Sequence, residues 1–314
     1  MQLKILDAYA DNPGDLSWDS FKKLADVTIY DRTDINQFVE RVADAESIFI
    51  NKVPVTSENL SKLPNLKYIG VCATGYNVVD IEACKKRNII VTNIPAYSTN
   101  AVAQHVFSFI TNFTNNVALH NQSVHNGDWI KSPDFVYWKQ PLTELAGKTL
   151  GIFGFGNIGR KVAQIASAFD MKVICNTRTP KADMPEFVSK EELFKRSDFL
   201  SLHAPLTEET KNIINKESLS LMKKTAYLIN TARGGFVNEK DLAQALRDGT
   251  IAGYAADVIN TEPMSKGCPL LNCPNCILTP HLAWAPKETR QRLLDIALDN
   301  YKAWLDGKPI NVVS

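Results

Sequence analysis

A chain of 314 residues has room for two domains with ordinary cores, and 45% hydrophobic against 22% charged residues is the balance of a globular protein. Lys and Arg number 35 against 34 Asp and Glu; a net charge of +1 gives no electrostatic case for nucleic acid or an anionic membrane as a partner. No apolar stretch reaches transmembrane length, and the opening residues MQLKILD lack the layout of a signal peptide, so a cytoplasmic chain is expected.

The first 98 residues alternate between two periodicities. Strands are expected at 3–8, 27–30, 47–50, 66–70 and 89–92. Helices are expected at 18–24, 36–42, 57–63 and 80–87, the last with Asp80 as N-cap. Such alternation predicts an α/β unit with a parallel sheet. After the fourth strand comes a small-residue loop, CATGYN at 72–77. Its N–H groups at Thr74 and Gly75 could hold a carboxylate, since ligands sit beyond the carboxyl ends of parallel strands. Taken alone, the loop reads as an ordinary connecting turn.

Ser98, Thr99 and Asn100 are expected to cap a helix over 101–116 that is apolar nearly all round and therefore buried. His105 inside it reads as a satisfied core histidine. This helix is taken as the crossing point between domains. Residues 117–146 then break the pattern: asparagines, His120, His125, Trp129, Tyr137 and Trp138 are interleaved, with Gly127, Pro133 and Pro141 interrupting any long element. A long segment without clear regular structure usually has a function. Its aromatics point to a subunit contact; the alternative is a surface loop packed on its own chain.

At 148–153 an apolar run runs into GFGNIG at 154–159, a helical pattern over 157–169 and a second run at 172–175. A G-x-G-x-x-G string is weak evidence alone, but strand, glycine turn, helix and strand together form the first βαβ unit of a dinucleotide-binding domain. Gly154 permits the turn, Gly156 lets the backbone approach a pyrophosphate, and Gly159 lets the helix pack on its strand. The helix N-terminus offers free N–H groups and a positive dipole end to the phosphates. Further strands are expected at 198–203, 226–230, 251–257 and 277–279, with helices at 190–195, 216–222 and 239–248, the last stopped by Gly249. A long amphipathic helix over 287–305 returns to the first domain.

Six cysteines, at 72, 84, 175, 268, 273 and 276, are expected to be reduced thiols. Cys273 and Cys276 form a C-x-x-C to which Cys268 could add a third ligand. A closed zinc site needs four, so no metal is expected.

Three ionisable residues follow strand ends of the second domain: Arg233 in NTARGG, Glu262 in DVINTEP and His281 in TPH. Each alone has a structural explanation, but the three complement one another at the rim where a nicotinamide would lie. Reduction of a 2-oxo acid needs a planar cation for the carboxylate, a proton donor for the oxygen, and a carboxylate to orient that donor. Arg233, His281 and Glu262 supply these parts.

At these residues the chain resembles the D-isomer-specific 2-hydroxyacid dehydrogenase family, through GFGNIG at 154–159, HAPLTEET at 203–210, INTARGG at 229–235, DVINTEP at 257–263 and LTPH at 278–281. The resemblance covers essentially the whole chain. It implies two α/β domains with parallel sheets: a flavodoxin-like substrate domain of residues 1–98 and 285–314, and a Rossmann-like dinucleotide domain of 99–284 whose arm, 117–146, makes a homodimer. It implies that Arg233 binds substrate, that Glu262 pairs with His281, and that His281 donates the proton. Cofactor contacts are implied at Gly154, Gly156, Asn157, Ile158, Gly159, Thr177, Arg178, His203, Ala204, Pro205, Thr210, Thr231, Ala232, Arg233, His281 and Asp257, the last holding the carboxamide. Ala73, Thr74 and Gly75 would give N–H groups to the substrate carboxylate, which revises the reading of that loop. Within the family, the segments at 71–80, 94–105 and 132–160 look most like glycerate dehydrogenases, also called hydroxypyruvate reductases. Trp138 would reach the partner's active site, as an aromatic does in some relatives.

One stretch departs from the family. Its NAD users carry an acid at the end of the second strand of this domain, where this chain has Thr177 followed by Arg178. A lost anion and a nearby guanidinium suit the 2′-phosphate of NADP, so NAD or NADP is expected, and Thr177 with Arg178 in place of an acid suggests NADP use. The reaction expected is reduction of hydroxypyruvate to D-glycerate. Reduction of glyoxylate or pyruvate is the nearest alternative, and a dinucleotide-sensing interaction protein of the corepressor type is the alternative of another class.

Overall fold

The computed structural model describes residues 1–180 and 182–314. Contacts divide the chain into two units: Met1–Ser98 together with Trp284–Ser314, and Thr99–Ala283.

The first unit holds a parallel sheet of β1 (Gln2–Ile5), β2 (Asp26–Ile29), β3 (Ser47–Ile50), β4 (Tyr68–Val71) and β5 (Ile90–Thr92), in the order β2-β1-β3-β4-β5. This is the flavodoxin-like order, with its topological switch between β1 and β3. All four residues of β3 and all four of β4 are buried, as central strands covered on both faces must be, so they read as unbroken runs rather than alternations. One face packs on Phe38, Val42, Leu60 and Cys84 from the helices Ile35–Val42, Ser57–Leu60 and Ile81–Lys86. The other packs on Leu293, Ala297 and Tyr301 of the helix Lys287–Leu305, with Phe21 and Phe49.

β1 stops at Ile5, three residues short of the expected end at residue 8. The cause lies 44 residues away. The Asp7 carboxylate accepts the backbone N–H groups of Asn51, Lys52 and Val53 at 2.8, 2.8 and 3.1 Å, turning the chain into the short helix Ala8–Asp11. The first unit therefore fills the anion nest at its own switch point with a side chain.

The second unit is a seven-stranded parallel sheet: β6 (Thr149–Phe153), β7 (Lys172–Asn176), β8 (Glu186–Phe187), β9 (Phe199–Leu202), β10 (Tyr227–Asn230), β11 (Gly253–Ala256) and β12 (Cys276–Leu278). The order β12-β11-β10-β9-β6-β7-β8 is that of a doubly wound dinucleotide fold, switching between β6 and β9. β8 was not expected. Its two residues are exposed at the sheet edge, too short to show a pattern, and they make Phe199–Leu202 the fourth strand rather than the third. The helix Glu239–Arg247 ends on Gly249 at φ +66°. There Gly249 N–H donates to Leu246 O at 3.3 Å and Thr250 N–H to Ala245 O at 2.8 Å, the paired bonds of a Schellman motif.

The buried helix expected over 101–116 spans Thr99–Asn115, so Thr99 and Asn100 lie in its first turn rather than capping it. Its Ala103, Val106 and Ile110 share a core with Val162 and Ala166 of the helix Asn157–Ala168. Residues 117–146 are not wholly irregular, as they contain the helix Val117–His125. Sequence periodicity misses this helix because it detects a buried stripe, and here Ser123 alone is buried while Val117, Leu119 and Val124 face outward. Among the described residues no helix is long and apolar enough to cross a membrane.

Candidate active site

The glycine turn sits at the switch point of the second unit. Gly154 has φ +94°, and a Cβ there would run into the backbone of Ala204, just after β9. A Cβ on Gly159 would strike Gly154 O and lie 3.1 Å from Ile152 Cγ2, so the helix Asn157–Ala168 could not approach β6 as it does. A Cβ on Gly156 would meet nothing within 4 Å; this glycine faces open space. No side chain caps the helix that starts there. Its first N–H groups are thus left for an external acceptor.

Around this turn lies a cleft of about 690 Å³ bordered by Gly154, Gly156, Thr177, Arg178, the run His203, Ala204 and Pro205, and Thr210. These are residues that the family resemblance marks for the cofactor. Lys190, at the start of the helix Lys190–Arg196, borders it too. Sequence reading passed over Lys190 because helix starts routinely carry solvated charge. The charged lining is Arg178, Lys190 and Glu209. His203 Nε2 lies 2.8 Å from Ser201 Oγ, and removal of the ring from water pushes its pKa down to about 3, so it is neutral at physiological pH. Thr231 Oγ1 is buried without a hydrogen-bond partner among the described residues. An orphaned hydroxyl, an uncapped helix start and an open glycine are together what a bound dinucleotide would satisfy.

His281 and Glu262, 19 residues apart, are brought together: His281 Nδ1 lies 2.6 Å from Glu262 Oε2. A carboxylate only accepts, so Nδ1 carries the proton of this bond and Nε2 is the nitrogen left for other partners. Glu262 Oε1 also accepts the Ile259 N–H at 3.1 Å, which fixes the carboxylate in its loop. The exposed Arg233 uses one nitrogen on its own loop, Nη1 donating to Ala232 O at 2.7 Å, and that loop is braced by Asn230. A Cβ on Gly234 would collide with the carbonyl of Ile259, so this glycine lets the Arg233 loop press directly on the loop that carries Glu262. The RGG pattern was visible in the sequence, but not what the first glycine touches.

Asp257 is 2% exposed and has a second task besides the one implied by resemblance. Its Oδ1 accepts from Thr279 Oγ1 at 2.6 Å and from Leu282 N–H at 2.9 Å, and its Oδ2 accepts from Ala283 N–H at 2.8 Å. Remaining acceptor capacity lies mainly on Oδ2. In the first unit, the loop after β4 is pinned by Thr74 Oγ1 donating to Ile94 O and Asn93 Nδ2 donating to Thr74 O, each at 2.8 Å. The N–H groups of Thr74 and Gly75 carry no hydrogen bond among the described residues.

The cysteines are free thiols, and burial pushes Cys276 up to about 12. Among the described residues no group of three or more His, Cys, Asp or Glu could hold a metal ion.

A doubly wound sheet whose switch point is shaped for a dinucleotide, with a histidine–carboxylate pair on its strand-end loops, defines a Rossmann-type oxidoreductase. More narrowly, the chain belongs to the D-isomer-specific 2-hydroxyacid dehydrogenase family, whose NAD-binding domain it matches over residues 107–283. It is 42% identical to a hydroxypyruvate reductase of Blautia hydrogenotrophica over 321 aligned positions, covering 100% of both chains. It is 45% identical to a glycerate dehydrogenase of Methylorubrum extorquens, covering 88% of each. Among solved structures, an acyclic imino acid reductase in complex with NADPH and D-Arg superposes with a TM-score of 0.88 at 30% identity, covering 100% of both chains.

Proposed function

We propose that the chain reduces hydroxypyruvate to D-glycerate, reversibly, with a nicotinamide cofactor. The observation that carries this reading is the 2.6 Å pairing of His281 with Glu262, which holds the Nδ1 proton and leaves Nε2 as the ring nitrogen that can exchange a proton with a substrate oxygen. The two relatives named for hydroxypyruvate reduction and glycerate oxidation support the substrate.

In this reading Gly154, Gly156 and Gly159 shape the turn over the pyrophosphate, and Asn157 and Ile158 offer backbone N–H groups. Thr177, Arg178, His203, Ala204, Pro205, Thr210, Thr231, Ala232 and Asp257 complete the cofactor contacts. The bound nicotinamide supplies a hydride. Arg233 holds the substrate carboxylate and carbonyl oxygen through its unused guanidinium N–H groups. Within the first unit, Ala73, Thr74 and Gly75 are the proposed source of backbone N–H groups for a substrate carboxylate. The proton on His281 Nε2 passes to the carbonyl oxygen as C2 is reduced, and Glu262 stabilises the ring while it is charged. In the reverse direction Nε2 takes that proton back.

NADP is the cofactor we infer to be preferred. Thr177 stands where an acid would repel a 2′-phosphate, and Arg178 and Lys190 border the same cleft. A steady-state panel of hydroxypyruvate, glyoxylate and pyruvate with NADPH and NADH tests substrate and cofactor together. Highest kcat/KM is expected for hydroxypyruvate with NADPH. A strong preference for NADH would sink the cofactor reading, and turnover confined to glyoxylate or pyruvate would sink the substrate. One methylene in a pocket is worth only about 1–3 kcal/mol, so measurement has to rank such close substrates.

The arm at 117–146 is proposed as the contact of a homodimer. It is tied together by Ser123 donating to Asp128 at 2.6 Å and by a 2.7 Å Lys139–Asp128 ion pair. Yet it leaves Ile130 89%, Phe135 88% and Trp138 63% exposed. Exposed large apolar side chains gathered on one segment in this way mark an association site. Light scattering at micromolar concentration should give twice the 35.0 kDa chain mass, and Phe135→Glu should shift it towards the single-chain value. A wild-type monomer would refute the assignment.

A further inference from the structure

His281 adopts φ +54°, in the left-handed region that a non-glycine residue occupies only when its surroundings impose it. What imposes it is visible on both sides. Thr279, two residues earlier, and Leu282 and Ala283, the next two, all bond to the one carboxylate of Asp257, so residues 279–283 wrap around a buried anion with His281 at the apex.

One further group reaches this anchor. His105, on the helix Thr99–Asn115, places Nε2 3.0 Å from Thr279 Oγ1 and 3.7 Å from Asp257 Oδ1, its ring set edge-on against Phe109 at 4.5 Å. The direction of the chain follows from what each group can do. The Thr279 hydroxyl has one proton, and the carboxylate 2.6 Å away can only accept it. Thr279 Oγ1 must therefore accept from His105, and Nε2 must be the protonated nitrogen of that ring. The bonds run one way, from His105 Nε2–H to Thr279 Oγ1–H to Asp257 Oδ1.

We propose that Thr279 and His105 are positioning residues for the proton donor: this directed chain locks the Thr279 side of the turn onto Asp257, and so sets where His281 presents Nε2. The inference rests on the reading of His281 as the acid. His105 is then not merely a core histidine, since it donates the only side-chain hydrogen bond that Thr279 receives among the described residues.

The test is a set of variants: Thr279→Val, which keeps the shape and removes the hydroxyl, Thr279→Ser, which keeps the hydroxyl, His281→Asn, and the Thr279→Val/His281→Asn double variant. Turnover with saturating NADPH and hydroxypyruvate and NADPH affinity by fluorescence titration are read for each. Misplacing a reacting group by about 1 Å can cost about a hundredfold, so Thr279→Val should lose about tenfold or more in kcat. Its NADPH affinity should stay within about twofold of wild type, Thr279→Ser should recover most of the loss, and in the double variant Thr279→Val should cost nothing beyond His281→Asn. If Thr279→Val does not fold, His105→Leu carries the same expectation. Wild-type kcat in Thr279→Val would overturn the proposal. So would a loss of cofactor affinity that matches the loss of turnover, or an equal loss with and without His281. Wild-type turnover in His281→Asn would overturn the acid assignment and this inference with it, a result read separately from the behaviour of Thr279.

Discussion

Replacing His281 by Asn is expected to lower kcat by roughly 10²–10⁴-fold, the range for loss of a general acid, without unfolding the protein. Asn approximates the near half of the imidazole and can still donate a hydrogen bond to Glu262, but it has no proton to give at neutral pH. The fold should tolerate the change because the two side chains keep 26% and 34% of their surface in solvent, where such pairs contribute little to stability. The KM for the 2-oxo acid should change much less than kcat, since the lost interaction belongs to the transition state. Steady-state kinetics with a circular-dichroism melt checks both halves. Near-normal turnover in a folded variant would remove His281 from the mechanism.

Arg233→Gln should weaken binding and chemistry together. Removing one partner of a desolvated, hydrogen-bonded charge pair costs about 2–5 kcal/mol, which in kcat/KM is from roughly thirtyfold to several thousandfold. The guanidinium has five N–H donors, and among the described residues its one hydrogen bond goes to Ala232 O, so donors remain for a carboxylate. Arg233→Lys restores the charge but not the planar fork, and should recover only part of the loss. Kinetics on the 2-oxo acid, with cofactor affinity measured alongside, separates substrate from cofactor effects. A Gln variant within threefold of wild type would show that the carboxylate is held elsewhere.

His281 and Arg233 could be singled out beforehand because each follows a strand in a parallel sheet, and a strand is a local object. Runs such as SIFI and TLGIF announce buried strands through their own side chains. The helix Lys287–Leu305 shows its apolar stripe in the same way. The GFGNIG turn is equally local, because the three glycines serve contacts within one βαβ unit or with the strand beside it.

Features that depend on partners distant in the chain were hidden. Asp7 stops β1 through backbone groups after β3, 44 to 46 residues on. Lys190 follows Arg178 by a dozen residues, and the two border one cleft only because the chain crosses an edge strand and comes back. His105 looked like a core residue because its helix is apolar all round; its partner Thr279 is 174 residues away. The helix Val117–His125 was invisible for the opposite reason, having almost no buried face to leave a period.

The sequence by itself determined the parallel α/β architecture, the glycine turn and the three strand-end groups, because periodicity and motif are written within single elements. Only the tertiary structure decided that His281 and Glu262 meet at 2.6 Å, that Gly234 seats the Arg233 loop against the loop of Glu262, and that Asp257 anchors the turn carrying His281. Those facts depend on the register of β10, β11 and β12 side by side, which pairs Asn230 with Ala256 and Ala256 with Leu278 and so brings three loops to one edge of the sheet. Hydrogen bonds between strands far apart in the chain set that register, and no single stretch of sequence contains them.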